Sequence, residues 1–220
     1  MSAPRTVIAI SGVDGAGKSS LIAGLVERFT EHGVPVDVVW FRPGMGMSWI
    51  EGPVRRVKRL LGQRPEPAMR DVDGAGRLPS RRGVLGFGWC LLVTLTYLRR
   101  VRASLRSSTS TVICDRYVLD AVVTLRVFYG DAITRLPIFL VRHLLPRADV
   151  ALYLGVPVEL ALARKPGDTV GRSAVTRQLR EYENALTRMP VHGLDTTQPV
   201  DAVVEQAWSY VAPVARHAGT

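Results

Sequence analysis

Gly12, Gly15, Gly17, Lys18 and Ser19 are spaced as G-x-x-x-x-G-K-[ST], the pattern of a phosphate-binding loop. Glycines there let the chain curl until its N–H groups face inward around a polyphosphate. A helix starting at that point aims its positive dipole end at the same anions. Lys18 adds a mobile charge for the β- and γ-phosphates, and the Ser19 hydroxyl suits a place on Mg2+. The expected chemistry is binding of a nucleoside triphosphate by Gly12, Asp14, Gly15, Ala16, Gly17, Lys18, Ser19 and Ser20.

A second stretch complements the first. Thr111-Val112-Ile113-Cys114-Asp115 is an apolar strand ending in a carboxylate, the form expected of a magnesium-holding aspartate. Arg116 and Tyr117 follow at once. Arg42 opens a turn-rich segment, Arg-Pro-Gly-Met-Gly-Met, at the carboxyl end of another strand, where open α/β sheets bind ligands.

These residues need strands and helices to hold them. Residues 6–11 read as the strand feeding the loop. Leu21, Ile22, Leu25, Val26 and Phe29 then recur at helical spacing as far as about Thr30, and Gly33 stops the helix. Residues 36–41 read as a buried second strand. A basic amphipathic helix is expected over 49–61, with Arg55, Arg56, Lys58 and Arg59 as a mostly solvated face, and a mobile loop over 62–83. The apolar run 84–98 is too short for a membrane span and reads as a buried helix, in a position that permits a twofold homodimer. Helices over 118–129 and 133–145, a strand over 150–156, a helix after Pro157, a Gly-rich charged segment, a helix bearing Arg177, Arg180 and Tyr182, a strand over 191–196 and a closing helix from Val200 complete the chain. Five strands alternating with helices predict a three-layer α/β domain over residues 1–220.

The 220 residues suit one such domain, and 47% hydrophobic with 22% charged residues is ordinary globular composition. A net charge of +10 suits anionic partners, and phosphorylated small molecules account for it without invoking nucleic acid. Cys90 and Cys114 lie in apolar stretches without metal-ligand spacing. They predict neither metal nor disulfide, and a reduced cytoplasmic compartment fits. The first residues lead straight into a strand, so no signal peptide is expected.

No Asn/Thr-Lys-x-Asp guanine-reading motif follows an apolar strand, which argues against a GTPase. The combination present resembles thymidylate kinases, members of the P-loop nucleoside-monophosphate kinases. Gly12 to Ser20 resembles their loop, including the Asp14 inside it. Residues 112–117 look like their Asp-Arg-Tyr segment, and 152–159 like their fourth strand and next helix, with Gly155 where an aspartate is usual. Arg172 through Tyr182 is similar to their lid and post-lid helix. The resemblance implies a P-loop kinase fold: a five-stranded parallel sheet, helices on both faces, and an arginine-bearing lid at about 165–173. It implies that Lys18 and the loop hold ATP, that Ser19 and Asp115 hold Mg2+, and that Arg116 bridges acceptor and transferred phosphoryl group. Asp14, Arg42 and Tyr117 are then the expected acceptor contacts. Asp120, where the family has a serine, would bind a sugar or amino group of an acceptor or form an ion pair with a nearby arginine. Arg172, with Arg164 and Arg177 as alternatives, would close over the γ-phosphate. Arginine forks fit a loose phosphoryl transition state because they bind phosphate oxygens in pairs.

The departures gather at the acceptor end. Where these kinases carry Phe-Ala-Ala-Asp-Arg, this chain has the uncharged stretch 93–98, with Arg99, Arg100 and Arg102 one to two turns further on. Asp120 and Val123-Thr124-Leu125 replace the serine and Tyr-Gln pair, and the glutamate of Arg-Glu-Pro-Gly is missing. The leading expectation is a nucleoside-monophosphate kinase. Two alternatives stand beside it: a kinase for a hydroxyl of a nucleoside, sugar or specialised metabolite, and a nucleotide-binding regulatory protein without transfer activity.

Overall fold

The computed structural model describes residues 6–44, 83–108, 111–164 and 171–217. The helix expected at 49–61, nearly all of the loop at 62–83 and most of the lid at 165–173 lie outside the described residues. Strand β1 (Val7–Ser11) is buried along its length. Ile8 and Ile10 face one core, and Val7 and Ala9 face the other. Burial on both faces explains an apolar run without alternation.

The other strands are β2 (Val36–Trp40), β3 (Thr111–Asp115), β4 (Val150–Gly155) and β5 (His192–Asp195). They form one parallel sheet in the order β2-β3-β1-β4-β5. Connections leaving the adjacent strands β1 and β3 run in opposite directions, one towards β2 and the other towards β4. A crevice opens at their carboxyl ends, where such sheets bind ligands.

One expectation is corrected. Strand β2 is not buried: it stands at the sheet edge, and Val38 and Trp40 are exposed. Val36 and Val39 pack partly against the two cores, so the strand's apolar content serves its inner contacts. A run of valines does not by itself tell a central strand from an edge.

Helices α1 (Lys18–Glu31) and α7 (Val200–His217) cover one face. Leu21, Leu25 and Phe29 meet Val204, Ala207 and Val211 in the core that contains Ile8, Ile10 and Leu154. Phe29 packs edge-on against Trp208, with ring centroids 5.1 Å apart. The opposite face is covered by α2 (Val84–Ser107), α3 (Val118–Tyr129) and α4 (Asp131–Leu144). There Tyr97, Val101, Ala121, Leu125 and Val141 close over Val7, Ala9, Val112 and Cys114. The run 84–98 forms the N-terminal part of α2. Cys90, Val93, Tyr97 and Leu98 are buried, while Val84 and Leu95 are exposed. Two further helices, α5 (Val158–Ala163) and α6 (Arg172–Leu186), flank the expected lid. Cys90 and Cys114 are both buried free thiols. Among the described residues no helix is long and apolar enough to cross a membrane.

Candidate active site

The phosphate-loop pattern folds as its glycines require. Gly12, Gly15 and Gly17 take φ values of 153°, 84° and 90°, which L side chains rarely adopt. At Gly15 space is closed as well, because a Cβ would stand 2.4 Å from the Ala161 carbonyl oxygen of α5. Gly17 leads into α1 without a side-chain cap, so the helix N-terminus keeps backbone donors for an anion.

Lys18 lies buried in the curl, its amine donating to the carbonyls of Gly12 at 2.9 Å and Val13 at 2.8 Å. Burial, together with the charge of Arg116, pulls this ammonium down to about 8. Asp120, Asp14 and Asp115 pull in the opposite direction. Ser19 and Ser20 are exposed at the start of α1.

Parallel register places Asp115 level with Ile10 of β1 and with Trp40 of β2. The aspartate expected to hold magnesium therefore stands beside the root of the phosphate loop. Its Oδ1 is buried without a hydrogen-bond partner, and burial pushes its carboxyl above the usual value.

Arg116 follows with φ 69°, unusual for a residue with a side chain, and its N–H donates to the Ile10 carbonyl at 2.9 Å. One Nη of its buried guanidinium donates to Asp14 Oδ1, and the other reaches Asp120 Oδ1 at 3.4 Å. Burial opposes this charge, but Asp120 and Asp14 outweigh it and hold the proton more tightly than in a free arginine. Behind them, the fully buried Tyr182 hydroxyl of α6 donates to the same Asp120 oxygen at 2.6 Å.

These groups surround a recess of about 640 Å3, within the size range of small-molecule sites. The loop contributes Asp14, Gly15, Gly17, Lys18, Ser19 and Ser20. Trp40, Arg42, Asp115, Arg116 and Arg164 form its other walls. A smaller cavity of about 170 Å3 adjoins it, with Ala16, Leu21, Leu154, Thr196, Gln198 and Val203 among its lining. Arg164 borders both, donating to the Thr196 carbonyl at 2.8 Å.

Most of the expected site residues thus come together, and four stand apart. Gly12 is buried beneath the loop against Leu154. Tyr117 is buried in the second core, its hydroxyl donating to the Pro146 carbonyl at 3.0 Å. Asp120 sits behind Arg116 with only 1% of its surface exposed. Arg172 is exposed at the start of α6 and pairs with Glu159 at 2.7 Å. Of the arginines that follow 93–98, Arg102 donates to the Leu144 carbonyl at 2.7 Å, and Arg99 and Arg100 are exposed. None of the three lines the recess. Sequence reading had no reason to single out Trp40 or Thr196, an edge-strand residue and a loop residue that only the folded sheet brings to the site.

No protein-family model matches the chain. A thymidylate kinase of Symbiobacterium thermophilum is 30% identical over 181 residues, which is 80% of this chain and 73% of that protein. A thymidylate kinase of Latilactobacillus sakei is 24% identical over 226 residues, covering 96% of each chain. The solved structure of a deoxyadenosine kinase from M. mycoides, with dCMP and a flexible dCDP bound, superposes with a TM-score of 0.58 at 17% identity. That superposition covers 94% of this chain and all of the other, and it shows the same α/β fold. Sheet, loop and recess define a P-loop kinase. At the identity and coverage of the first relative, the chain belongs to the thymidylate kinase family.

Proposed function

We propose that this kinase transfers the γ-phosphoryl group of ATP, with Mg2+, to a nucleoside monophosphate, thymidylate being the first acceptor to test. One observation carries the reading: the Arg116 guanidinium is held against Asp14 of the phosphate loop, so donor-side and acceptor-side groups face one recess. A loose phosphoryl transition state needs charge neutralisation and in-line placement more than covalent help.

The residues present fit the donor and the metal. Gly12, Gly15 and Gly17, all at positive φ, and the uncapped start of α1 supply the curled backbone donors that suit a phosphate cradle. Two of the three Lys18 N–H bonds rest on loop carbonyls, which leaves one for a phosphate oxygen. Ser19 and Asp115 would hold Mg2+, and the unpartnered Asp115 oxygen suits a cation or its bound water. When bound, Mg2+ would supply positive charge that neutralises the polyphosphate. Among the described residues no cluster of three or more His, Cys, Asp or Glu side chains could hold a metal on protein ligands alone. A magnesium ion shared between few side chains and substrate phosphates does not need one. The adjoining cavity, walled by Leu21, Leu154 and Val203, suits the donor base.

Arg42 and Arg116 would grip the acceptor side, with Asp14 at an acceptor hydroxyl. Arg164, already lining the recess, is better placed than Arg172 to meet the γ-phosphate from the lid side. The same reading takes residues 1–220 as one catalytic domain, cytoplasmic, acting on a small molecule rather than nucleic acid, with α2 as the face a second copy would use.

A hydroxyl acceptor is the second reading. It is favoured by the uncharged stretch 93–98 and by the absence of Arg99, Arg100 and Arg102 from the recess. ADP release from ATP across nucleoside monophosphates, nucleosides and free sugars separates the two. Turnover confined to monophosphates supports the first reading, turnover confined to unphosphorylated acceptors supports the second, and no turnover overturns both.

A further inference from the structure

We propose that Asp120 and Tyr182 are a positioning pair, buried behind the site, that fixes the orientation of Arg116 for phosphoryl transfer. The inference rests on the proposed role of Arg116 at the transferred group.

Arg116 is held from three directions. Its backbone, at φ 69°, is tied to β1 through the Ile10 carbonyl. The next residue is tied to α2, where the buried Tyr97 hydroxyl donates to the Tyr117 carbonyl at 3.1 Å. Its guanidinium spans Asp14 in front and Asp120 behind. A single carboxylate leaves an arginine fork free to swing about that contact, whereas two carboxylates on different nitrogens fix its plane. Each Nη carries two hydrogens, so one on each remains for a phosphate oxygen.

Asp120 cannot itself reach an acceptor from its buried position. Its Oδ1 takes both Arg116 and the Tyr182 hydroxyl, while Oδ2 is buried without a partner. The carboxylate is thus aimed by Tyr182 at 2.6 Å, and Tyr182 is wedged against Tyr153 with ring centroids 5.2 Å apart. A pair serving stability alone would not need this: buried ion pairs are often replaced by apolar residues at no loss. What the arrangement supplies is direction. It joins the phosphate loop, β3, α3 and α6 through one guanidinium.

Tyr182→Phe tests the pair, since it removes one hydroxyl and keeps the ring. Asp120→Asn is the harsher companion, used where it folds. The first readout is nitrogen-15 NMR of the Arg116 side chain, which reads rotation about its Cζ–Nη bonds without any substrate. The second is kcat against KM, using the best acceptor from the panel above, with dTMP as the first probe. Tyr182→Phe is expected to melt a few degrees lower yet stay folded at the assay temperature, to speed that rotation about tenfold, and to lower kcat about tenfold with KM for ATP within about twofold. An Arg116 signal identical to wild type overturns the positioning. A loosened guanidinium with unchanged kcat overturns its part in the reaction. If the wild-type protein turns over no acceptor, the kinase reading fails separately, and the NMR arm still decides whether the pair orients Arg116.

Discussion

Gly15 of the phosphate loop backs directly onto Ala161 of α5, where a Cβ would come within 2.4 Å of the carbonyl oxygen. Neither side can give cheaply, because both are backbone and Gly15 sits at φ 84°. Gly15→Ala should weaken ATP binding at least tenfold and cost about 1–3 kcal/mol of stability, the usual scale of overpacking. Titration calorimetry and urea unfolding check this, and wild-type affinity would mean the loop does not hold the donor.

Gly24 makes a second close approach, with a Cβ 2.6 Å from Val204 Cγ2 where α1 crosses α7. Alanine adds about 1 kcal/mol of helix propensity, and the clash costs about 1–3 kcal/mol, so the clash prevails. Gly24→Ala should therefore destabilise the wild-type chain and stabilise a Val204→Ala chain. Urea midpoints of the four proteins read this reversal of sign, and the same sign in both backgrounds refutes it.

Lys18 gives the site a pH dependence. Its ammonium is held near 8, and bound phosphate would favour the charged form and raise that value. Below about 8 the lysine is already protonated and affinity should be flat. As pH rises through that value, binding must take up a proton and ATP affinity should fall. Calorimetry at about pH 8.5 in buffers of different ionisation enthalpy measures the uptake. Lys18→Arg should abolish it, since arginine does not titrate there.

Asp115→Asn should separate stability from activity. The carboxylate has a buried oxygen without a partner, so a neutral amide costs the fold little or adds about 1 kcal/mol. Mg2+-dependent ADP release should still drop by about 10²–10³, the scale of losing one charge-stabilising contact. Wild-type turnover in this variant would remove Asp115 from the site.

The parts of the site legible in the sequence are those built from neighbours in the chain. The loop is written in the spacing of Gly12, Gly17 and Lys18, and β3 in an apolar run ending at Asp115. The pairing of Asp120 with a nearby arginine was legible too, because Arg116 stands four residues before it. Contacts across the fold were not: the Tyr182 that aims Asp120 lies 62 residues further on. Tyr117 adjoins Arg116 in sequence, yet it turns into the core because the left-handed backbone at Arg116 redirects the chain into α3. Between Arg164 and Arg172 the choice depends on where α5 ends. Arg164 closes that helix beside the recess, while Arg172 opens α6 opposite the exposed Glu159. Edge position was equally hidden for β2, because strand order depends on pairing with residues more than 70 positions away.

The recess brings Lys18, Arg42, Arg116 and Arg164 to its walls against the carboxylates of Asp14 and Asp115. Among the described residues these four cations outnumber the two carboxylates and the Asp120 that stands behind Arg116, and they leave a positive well. A concave site of one sign focuses its field outward and gathers polyanions before any contact forms. Nucleotide capture should then be governed by ionic strength. Association slows steeply as salt shortens the Debye length from about 30 Å at 0.01 M to about 8 Å at physiological ionic strength, while release, set by short-range contacts, changes far less.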